Sequence, residues 1–130
     1  MKIFLRNNLW SVLWGFLILV LTLMPGYFLP RVPVWVDKYS PDKLVHLFIF
    51  GVFGFLLVRG FRKPGTPAVI MNIPFVWALL VSAFIGGATE LAQGWLIPLR
   101  TASWYDFLAD VAGALAGISV IGLHRYLKRE

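Results

Sequence analysis

The sequence predicts an all-α membrane protein, a bundle of four transmembrane helices in a single domain. Hydrophobic residues make up 59% of the chain and charged residues 14%, whereas soluble domains carry roughly 25% charged residues. Stretches free of Asp, Glu, Lys and Arg occur at 7–30, 44–58, 64–89 and 111–124. Because a spanning helix needs about 20 apolar residues, the two shorter stretches must draw flanking polar residues inward. The predicted spans are 8–28, 42–61, 69–96 and 104–123.

The distribution of basic residues predicts that both chain ends lie in the cytoplasm. Most of them fall at the ends of the chain and in the loop between the second and third spans: Lys2, Arg6, Arg59, Arg62, Lys63, Arg125, Lys128 and Arg129. The remainder are Arg31, Lys38, Lys43 and Arg100. This asymmetry matches the positive-inside rule. The +6 net charge comes from basic residues near the ends of the predicted helices. It therefore predicts an orientation in the membrane and no nucleic-acid partner.

The first span contains no ionisable group and is predicted to be a membrane anchor and bundle wall. Lys2 and Arg6 precede it as in a signal peptide, but no small-residue cleavage site follows, so we expect an uncleaved span. Pro25 and Pro30 end it. Trp35, in the connection that follows, suits the aromatic belt at the outer membrane interface.

The second span begins with a helix-start signal, Ser40-Pro41-Asp42. Ser40 fits the N-cap, Pro41 the first helical position, and Asp42 the positive end of the helix dipole. His46 follows one turn later on the same face as Asp42.

The third span is predicted to kink early, at Pro74, and to carry a small and polar face. Ser82, Gly86 and Glu90 recur at four-residue spacing, which permits close approach of a neighbouring helix. Gln93 is three residues beyond Glu90 and therefore adjacent to it on the helix surface.

The fourth span begins with a capping-box match, Ser103-Trp104-Tyr105-Asp106. Asp106 and Asp110 are followed on the same face by Gly113 and Gly117, a GxxxG pattern. This face is predicted to pack, either within the bundle or in a homodimer.

The acids of three spans are predicted to share one layer in the outer half of the membrane. At about 1.5 Å per residue, Asp110 lies roughly 22 Å from Arg125, within a hydrocarbon core about 30 Å thick. Counted in the same way from Arg59, His46 lies deeper still. Glu90, two turns before the helix-ending Pro98, is expected at a depth comparable to that of Asp110. Ionisable groups at membrane depth are costly and usually functional, so we expect a site that opens outward or toward the outer leaflet.

These motifs together resemble the VanZ-like family. The resemblance covers about residues 42–117 and is carried, in order, by Asp42-Lys43-x-x-His46, Glu90-x-x-Gln93, Pro98-x-Arg100, Ser103-x-x-Asp106, Gly113 and Gly117. It implies a multi-pass protein of the bacterial cytoplasmic membrane and a link to teicoplanin resistance. The family usually has Asn where this chain has Asp110.

The leading hypothesis is an envelope protein that binds or modifies an anionic or lipid-linked component of the outer leaflet. Glu90 and His46 are the candidate base and acid, with Asp106 in the same catalytic group. Candidate ligands of a phosphate or other polar group are Lys43, Arg100, Gln93, Asp42 and Asp110.

Several of these residues also have structural explanations. Asp42 and Asp106 suit helix starts, and Glu90 suits an interhelical ion pair with Arg100 or Lys43. Acids with one histidine can also bind a divalent cation, but no ligand spacing here is diagnostic, so the sequence assigns no metal ligand and no cofactor.

Two other function classes stay open. One is a scaffold or interaction protein whose polar cluster fixes helix packing, and the other is an ion- or proton-coupled transporter. Whether the protein is an enzyme is also open. The chain has no cysteine and no GxSxG, Walker or HExxH pattern, so the covalent and nucleotide chemistries typical of those motifs are not expected.

Overall fold

The computed structural model describes residues 1–25, 41–98 and 100–128. Within these ranges the regular elements are all α-helices: α1 Lys2–Asn7, α2 Leu9–Thr22, α3 Pro41–Phe61, α4 Ala68–Met71, α5 Pro74–Leu96 and α6 Trp104–Leu127. The all-α class is therefore confirmed. Three helices, α3, α5 and α6, are long and apolar enough to cross a membrane.

The helix in the first predicted span is shorter than the three long helices. Helix α2 has 14 residues, about 21 Å of helix, against a hydrocarbon core of about 30 Å. It is extended at its start by α1, since the Asn8 amide donates to the Phe4 carbonyl (3.1 Å) and the Asn8 carbonyl accepts from Val12 (2.9 Å). Residues 26–40, with the predicted Ser40 N-cap and the aromatic belt at Trp35, lie outside the described residues. A fourth spanning helix stays a prediction.

The predicted kink at Pro74 is a helix boundary. Helix α4 ends at Met71, and Pro74 is the first residue of α5, where its missing N–H removes no intrahelical hydrogen bond. The Trp77 indole donates to the Val69 carbonyl at 2.9 Å. The predicted span 69–96 is therefore a short helix tied to a long one.

Helix α3 lies at the centre of the bundle and supplies most of the buried apolar side chains. The core consists of Ile18, Ile49, Phe50, Phe53, Leu57, Val58, Phe61, Ala78 and Ile118. At Leu47 and Gly51, α3 packs backbone-to-backbone on α6. A Cβ on Gly113 would meet the Leu47 carbonyl, and one on Gly117 would meet that of Gly51. The GxxxG face thus packs within the chain.

The helix directions bring four helix ends together. Helices α3 and α6 run the same way, because Lys43 lies beside Asp106 and His46 lies beside Asp110, one turn further on. Helix α2 runs against α3, since Asn8 lies beside Gly60. Helix α5 runs against α6. The starts of α3 and α6 therefore meet the ends of α2 and α5.

The outward faces of the helices are apolar. Large side chains that are mostly exposed occur on every long helix, among them Trp10, Phe16, Phe48, Phe84, Trp95 and Val120. Soluble monomers rarely expose contiguous apolar surface on this scale. The described residues thus form a bundle suited to lipid surroundings.

Candidate functional site

The site begins with two matched pairs on parallel helices. Asp42 and His46 are one turn apart on α3, and Asp106 and Asp110 are one turn apart on α6. The Lys43 Nζ lies 3.7 Å from Asp106 Oδ1, and the His46 Nδ1 lies 2.8 Å from Asp110 Oδ1. The two helices thus place their polar residues side by side.

Helix α5 adds Glu90 to these pairs. One ring nitrogen of His46 and one carboxylate oxygen each of Glu90 and Asp110 lie within 4.8 Å of one another. One ring nitrogen of His46 and one carboxylate oxygen each of Asp42 and Asp106 also lie within 4.8 Å of one another. We call this group the polar cluster: Asp42, Lys43, His46, Glu90, Asp106 and Asp110.

Exposure falls from the outer to the inner part of the cluster. Asp42 is exposed and the Lys43 side chain is 42% exposed. His46 is 2% exposed, Glu90 5% and Asp110 0%. The cluster therefore runs from the end of the bundle into its interior.

The two oxygens of the Glu90 carboxylate have different surroundings. Oε2 accepts a hydrogen bond from the backbone N–H of Ser103 at 2.7 Å. Oε1 is buried and has no hydrogen-bond partner among the described residues. One side of the carboxylate is fixed, and the other is available to a ligand.

The Ser103 cap forms, but not as a complete capping box. The Ser103 hydroxyl accepts from the Asp106 backbone N–H at 3.3 Å, as the pattern predicts. A capping box would return the Asp106 carboxylate to the Ser103 N–H. That donor goes to Glu90 instead, which leaves the Asp106 carboxylate beside Lys43.

Gly86 provides the space that the inner carboxylate occupies. A Cβ at this position would lie 2.8 Å from Asp110 Oδ2 and 3.1 Å from Asp110 Cβ. Since Gly86 is one turn before Glu90 on α5, Asp110 lies between His46 of α3 and the small face of α5.

Two of the predicted site residues form no hydrogen bond or ion pair with the described residues of the cluster. The Gln93 side chain donates to the Thr22 carbonyl at 2.7 Å, so it ties α5 to the end of α2 and not to Glu90. Arg100 is half-buried between α5 and α6 and forms no ion pair with any described carboxylate.

Glu90 does not form the predicted ion pair with Lys43 or Arg100 among the described residues. Neither Lys43 nor Arg100 lies within 4.0 Å of its carboxylate in the described ranges, because Lys43 pairs with Asp106. The partners that sequence reasoning missed are the backbone N–H of Ser103 and the carbonyl of Thr22. Backbone groups carry no residue signature, and Thr22 is 71 positions from Gln93.

An apolar groove reaches the cluster from the side. It has a volume of about 330 Å³ and is lined by Gly87, Glu90, Leu91, Ala102, Ser103, Trp104 and Phe107. Leu91 and Trp104 are exposed, so the groove opens on the surface of the bundle between α5 and the start of α6. Among the described residues that line it, Glu90 alone is ionisable.

Comparison of the chain with protein-family models, with curated proteins and with solved structures gave no match. The resemblance to the VanZ-like family is thereby neither supported nor refuted and stays a prediction. The assignment of the site depends on the residues and the geometry of the cluster.

Proposed function

We propose that this protein binds or modifies an anionic, lipid-linked component of the bacterial envelope at the polar cluster. The observation that carries the proposal is the position of Glu90. Its carboxylate joins an apolar groove of about 330 Å³ to a buried set of acids and one histidine. A lipid presents the same combination, an apolar chain attached to a polar head group.

The energetics of burial support a functional role for the cluster. An unpaired polar group away from water costs about 1–3 kcal/mol on the scale of protein mutations. Glu90 Oε1 and Asp110 Oδ2 are both buried and lack a hydrogen-bond partner among the described residues. Ionisable groups kept at membrane depth are usually functional, and a bound polar ligand would offset part of the cost.

The exposed and buried parts of the cluster suit different parts of such a ligand. Lys43, the more exposed cation, suits a phosphate. Glu90 and His46, with atoms within 4.8 Å of each other, suit proton transfer at the head group. The groove wall at Leu91, Trp104 and Phe107 suits the apolar chain.

The proposal includes the VanZ-like assignment and a cytoplasmic-membrane location with both chain ends in the cytoplasm. Two observations support this orientation. The polar cluster lies at one end of the bundle, where α3 and α6 begin and α5 ends. Basic residues, among them Arg59, Arg62 and Arg125, concentrate at the opposite end of the bundle. The site would then face the outer leaflet, where lipid-linked envelope precursors and glycopeptide targets lie.

The experiment compares total lipids and lipid-linked glycans by mass spectrometry in three strains: cells lacking the protein, cells expressing it, and cells expressing Glu90→Gln at matched levels. We expect one lipid or lipid-linked species to change only with the unaltered protein. Gln keeps an acceptor for the Ser103 N–H and removes the charge, so the helix contacts are preserved.

The control variant must lie outside the groove, which excludes Leu91→Ala. His124→Gln is suitable, since His124 is exposed near the end of α6 and remote from the cluster. We expect its lipid profile to match that of the unaltered protein. Identical profiles in all strains would overturn the proposal.

A second candidate, a scaffold protein, is favoured by one specific observation. Gly113 and Gly117 bring α6 against the backbone of α3, and the His46–Asp110 hydrogen bond fixes the same pair of helices. In a pure scaffold, Glu90→Gln leaves lipid composition unchanged, and Asp110→Ala lowers the stability of the bundle. A protein partner would then be sought by crosslinking.

A further inference from the structure

We propose that His46, Glu90 and Asp110 form a binding site for a divalent transition-metal cation, Zn²⁺ or Mn²⁺. The three residues come from α3, α5 and α6, so the ion would join the three long helices at one point. With the ion bound, Glu90 and His46 would act as its ligands and not as base and acid. The inference can be tested on the purified protein alone.

The geometry of the three side chains is close to that of a metal site. One ring nitrogen and two carboxylate oxygens lie within 4.8 Å of one another. Ligands bound at about 2.0–2.2 Å from a single ion lie up to about 4.4 Å apart. Small side-chain rotations therefore suffice to bring all three onto one cation.

The carboxylates present oxygens with no other partner. Glu90 Oε1 and Asp110 Oδ2 are buried and accept no hydrogen bond from the described residues, although their side chains are at least nine-tenths buried. The second oxygen of Glu90 accepts from the Ser103 N–H at 2.7 Å. In metal sites, such contacts orient the ligands.

The imidazole is also oriented as a ligand would be. The His46 Nδ1 lies 2.8 Å from Asp110 Oδ1, close to the spacing of two ligands at about 2.0–2.2 Å from one ion. The ion would take the place of the proton between these two atoms, and that proton would be released on binding.

The charge of the cluster favours a cation. Four carboxylates, Asp42, Glu90, Asp106 and Asp110, lie around His46, and within the described ranges the only lysine or arginine paired with them is Lys43, at 3.7 Å from Asp106. Burying an isolated carboxylate costs several kcal/mol. A doubly charged ion between Glu90 and Asp110 would balance both.

The donor set indicates the class of ion. Imidazole favours Zn²⁺ and similar ions, and carboxylate accommodates Zn²⁺ and Mn²⁺, whereas Ca²⁺ and Mg²⁺ prefer oxygen ligands alone. Three protein ligands leave at least one coordination position open. The sequence assigned no metal ligand because the three residues lie on separate helices, with no ligand motif in any one of them.

His46 also lies near Asp42 and Asp106, which form the outer of the two groups around the ring. We favour the inner group because Asp106 already pairs with Lys43 and Asp42 is exposed. Comparison of acid-to-amide variants in the two groups distinguishes them.

The experiment uses the full chain, purified in detergent and stripped with a chelator. Zn²⁺ and Mn²⁺ are titrated by calorimetry, with Mn²⁺ also followed by electron paramagnetic resonance and Mg²⁺ as comparison. We expect one Zn²⁺ or Mn²⁺ per chain, weaker Mg²⁺ binding, and a rise in the unfolding temperature with the ion. Glu90→Gln and Asp110→Asn should each weaken Zn²⁺ binding by at least about tenfold, on the scale known for altered metal sites.

His124→Gln is the control for histidines outside the site and should bind as the unaltered protein does. Circular dichroism and gel filtration establish that each variant is folded, and Glu90→Gln serves as the test if Asp110→Asn does not fold. Unchanged binding in Glu90→Gln, loss only in Asp42→Asn, or no uptake of either ion by the unaltered protein would overturn the proposal. Failure here leaves the lipid comparison untouched, since that readout does not depend on metal.

Discussion

His46 and Asp110 form a buried hydrogen bond of 2.8 Å between two parallel helices. The residues are 64 positions apart in the chain, and each lies one turn beyond another polar residue, Asp42 on α3 and Asp106 on α6. Both are essentially inaccessible to solvent. The bond fixes how far α3 and α6 are offset along their axes, and it sets the orientation of the imidazole within the polar cluster.

Asp110→Ala should destabilise the protein by about 1–3 kcal/mol, because the buried His46 donor loses its acceptor. Asp110→Asn should cost less than about 1 kcal/mol, since its amide oxygen can still accept from Nδ1. Thermal unfolding in a mild detergent, followed by circular dichroism, measures both. Equal losses in the two variants would show that the hydrogen bond does not contribute to stability.

Gly117→Ala should destabilise the contact between α3 and α6 by at least about 1–3 kcal/mol, the usual range for overpacking a tight contact. The added methyl group would meet the backbone of Gly51, which cannot move like a side chain. Gly122→Ala is the control: nothing lies within 4 Å of its Cβ position, so higher helix propensity should stabilise it by up to about 1 kcal/mol. Similar unfolding temperatures for both variants would contradict the observed packing.

Gly86→Ala should displace the Asp110 carboxylate and cost about 1–3 kcal/mol, because the new Cβ would lie 2.8 Å from Oδ2. The matched control is Gly87→Ala, whose Cβ would have an ordinary contact of 3.7 Å with Phe107. A double-mutant cycle isolates the contact. In an Asp110→Ala background, Gly86→Ala should cost less, because only the 3.1 Å contact with the Cβ of residue 110 remains. An unchanged penalty there would place the strain elsewhere.

The orientation of the chain can be tested by cysteine labelling, because the natural sequence contains no cysteine. Thr101→Cys lies in an exposed position at the cluster end of the bundle, and Lys128→Cys lies at the opposite end. A membrane-impermeant maleimide should label the first in intact cells and the second only after permeabilisation. The reverse pattern would overturn the proposed N-in and C-in orientation and place the polar cluster on the cytoplasmic side.

Residue order along the chain determined the three long helices and the helix faces on which the residues of the polar cluster lie. Long apolar stretches require helices, since backbone groups in lipid must bond within their own segment. Four-residue spacing put Asp42 with His46, and Asp106 with Asp110, on common helix faces. The kink predicted at Pro74 is instead the start of α5, because residue order alone cannot distinguish a kink from the start of a new helix.

Tertiary structure alone decided which polar groups are partners. Glu90 bonds to the backbone N–H of Ser103, and Gln93 bonds to the carbonyl of Thr22; backbone donors and acceptors exist at nearly every residue, so sequence cannot select among them. Lys43 pairs with Asp106 and not with Glu90 because α3 and α6 are parallel and adjacent. Periodicity fixes the face on which a side chain lies, but contact between faces depends on how close two helices approach, and here Gly113 and Gly117 set that distance.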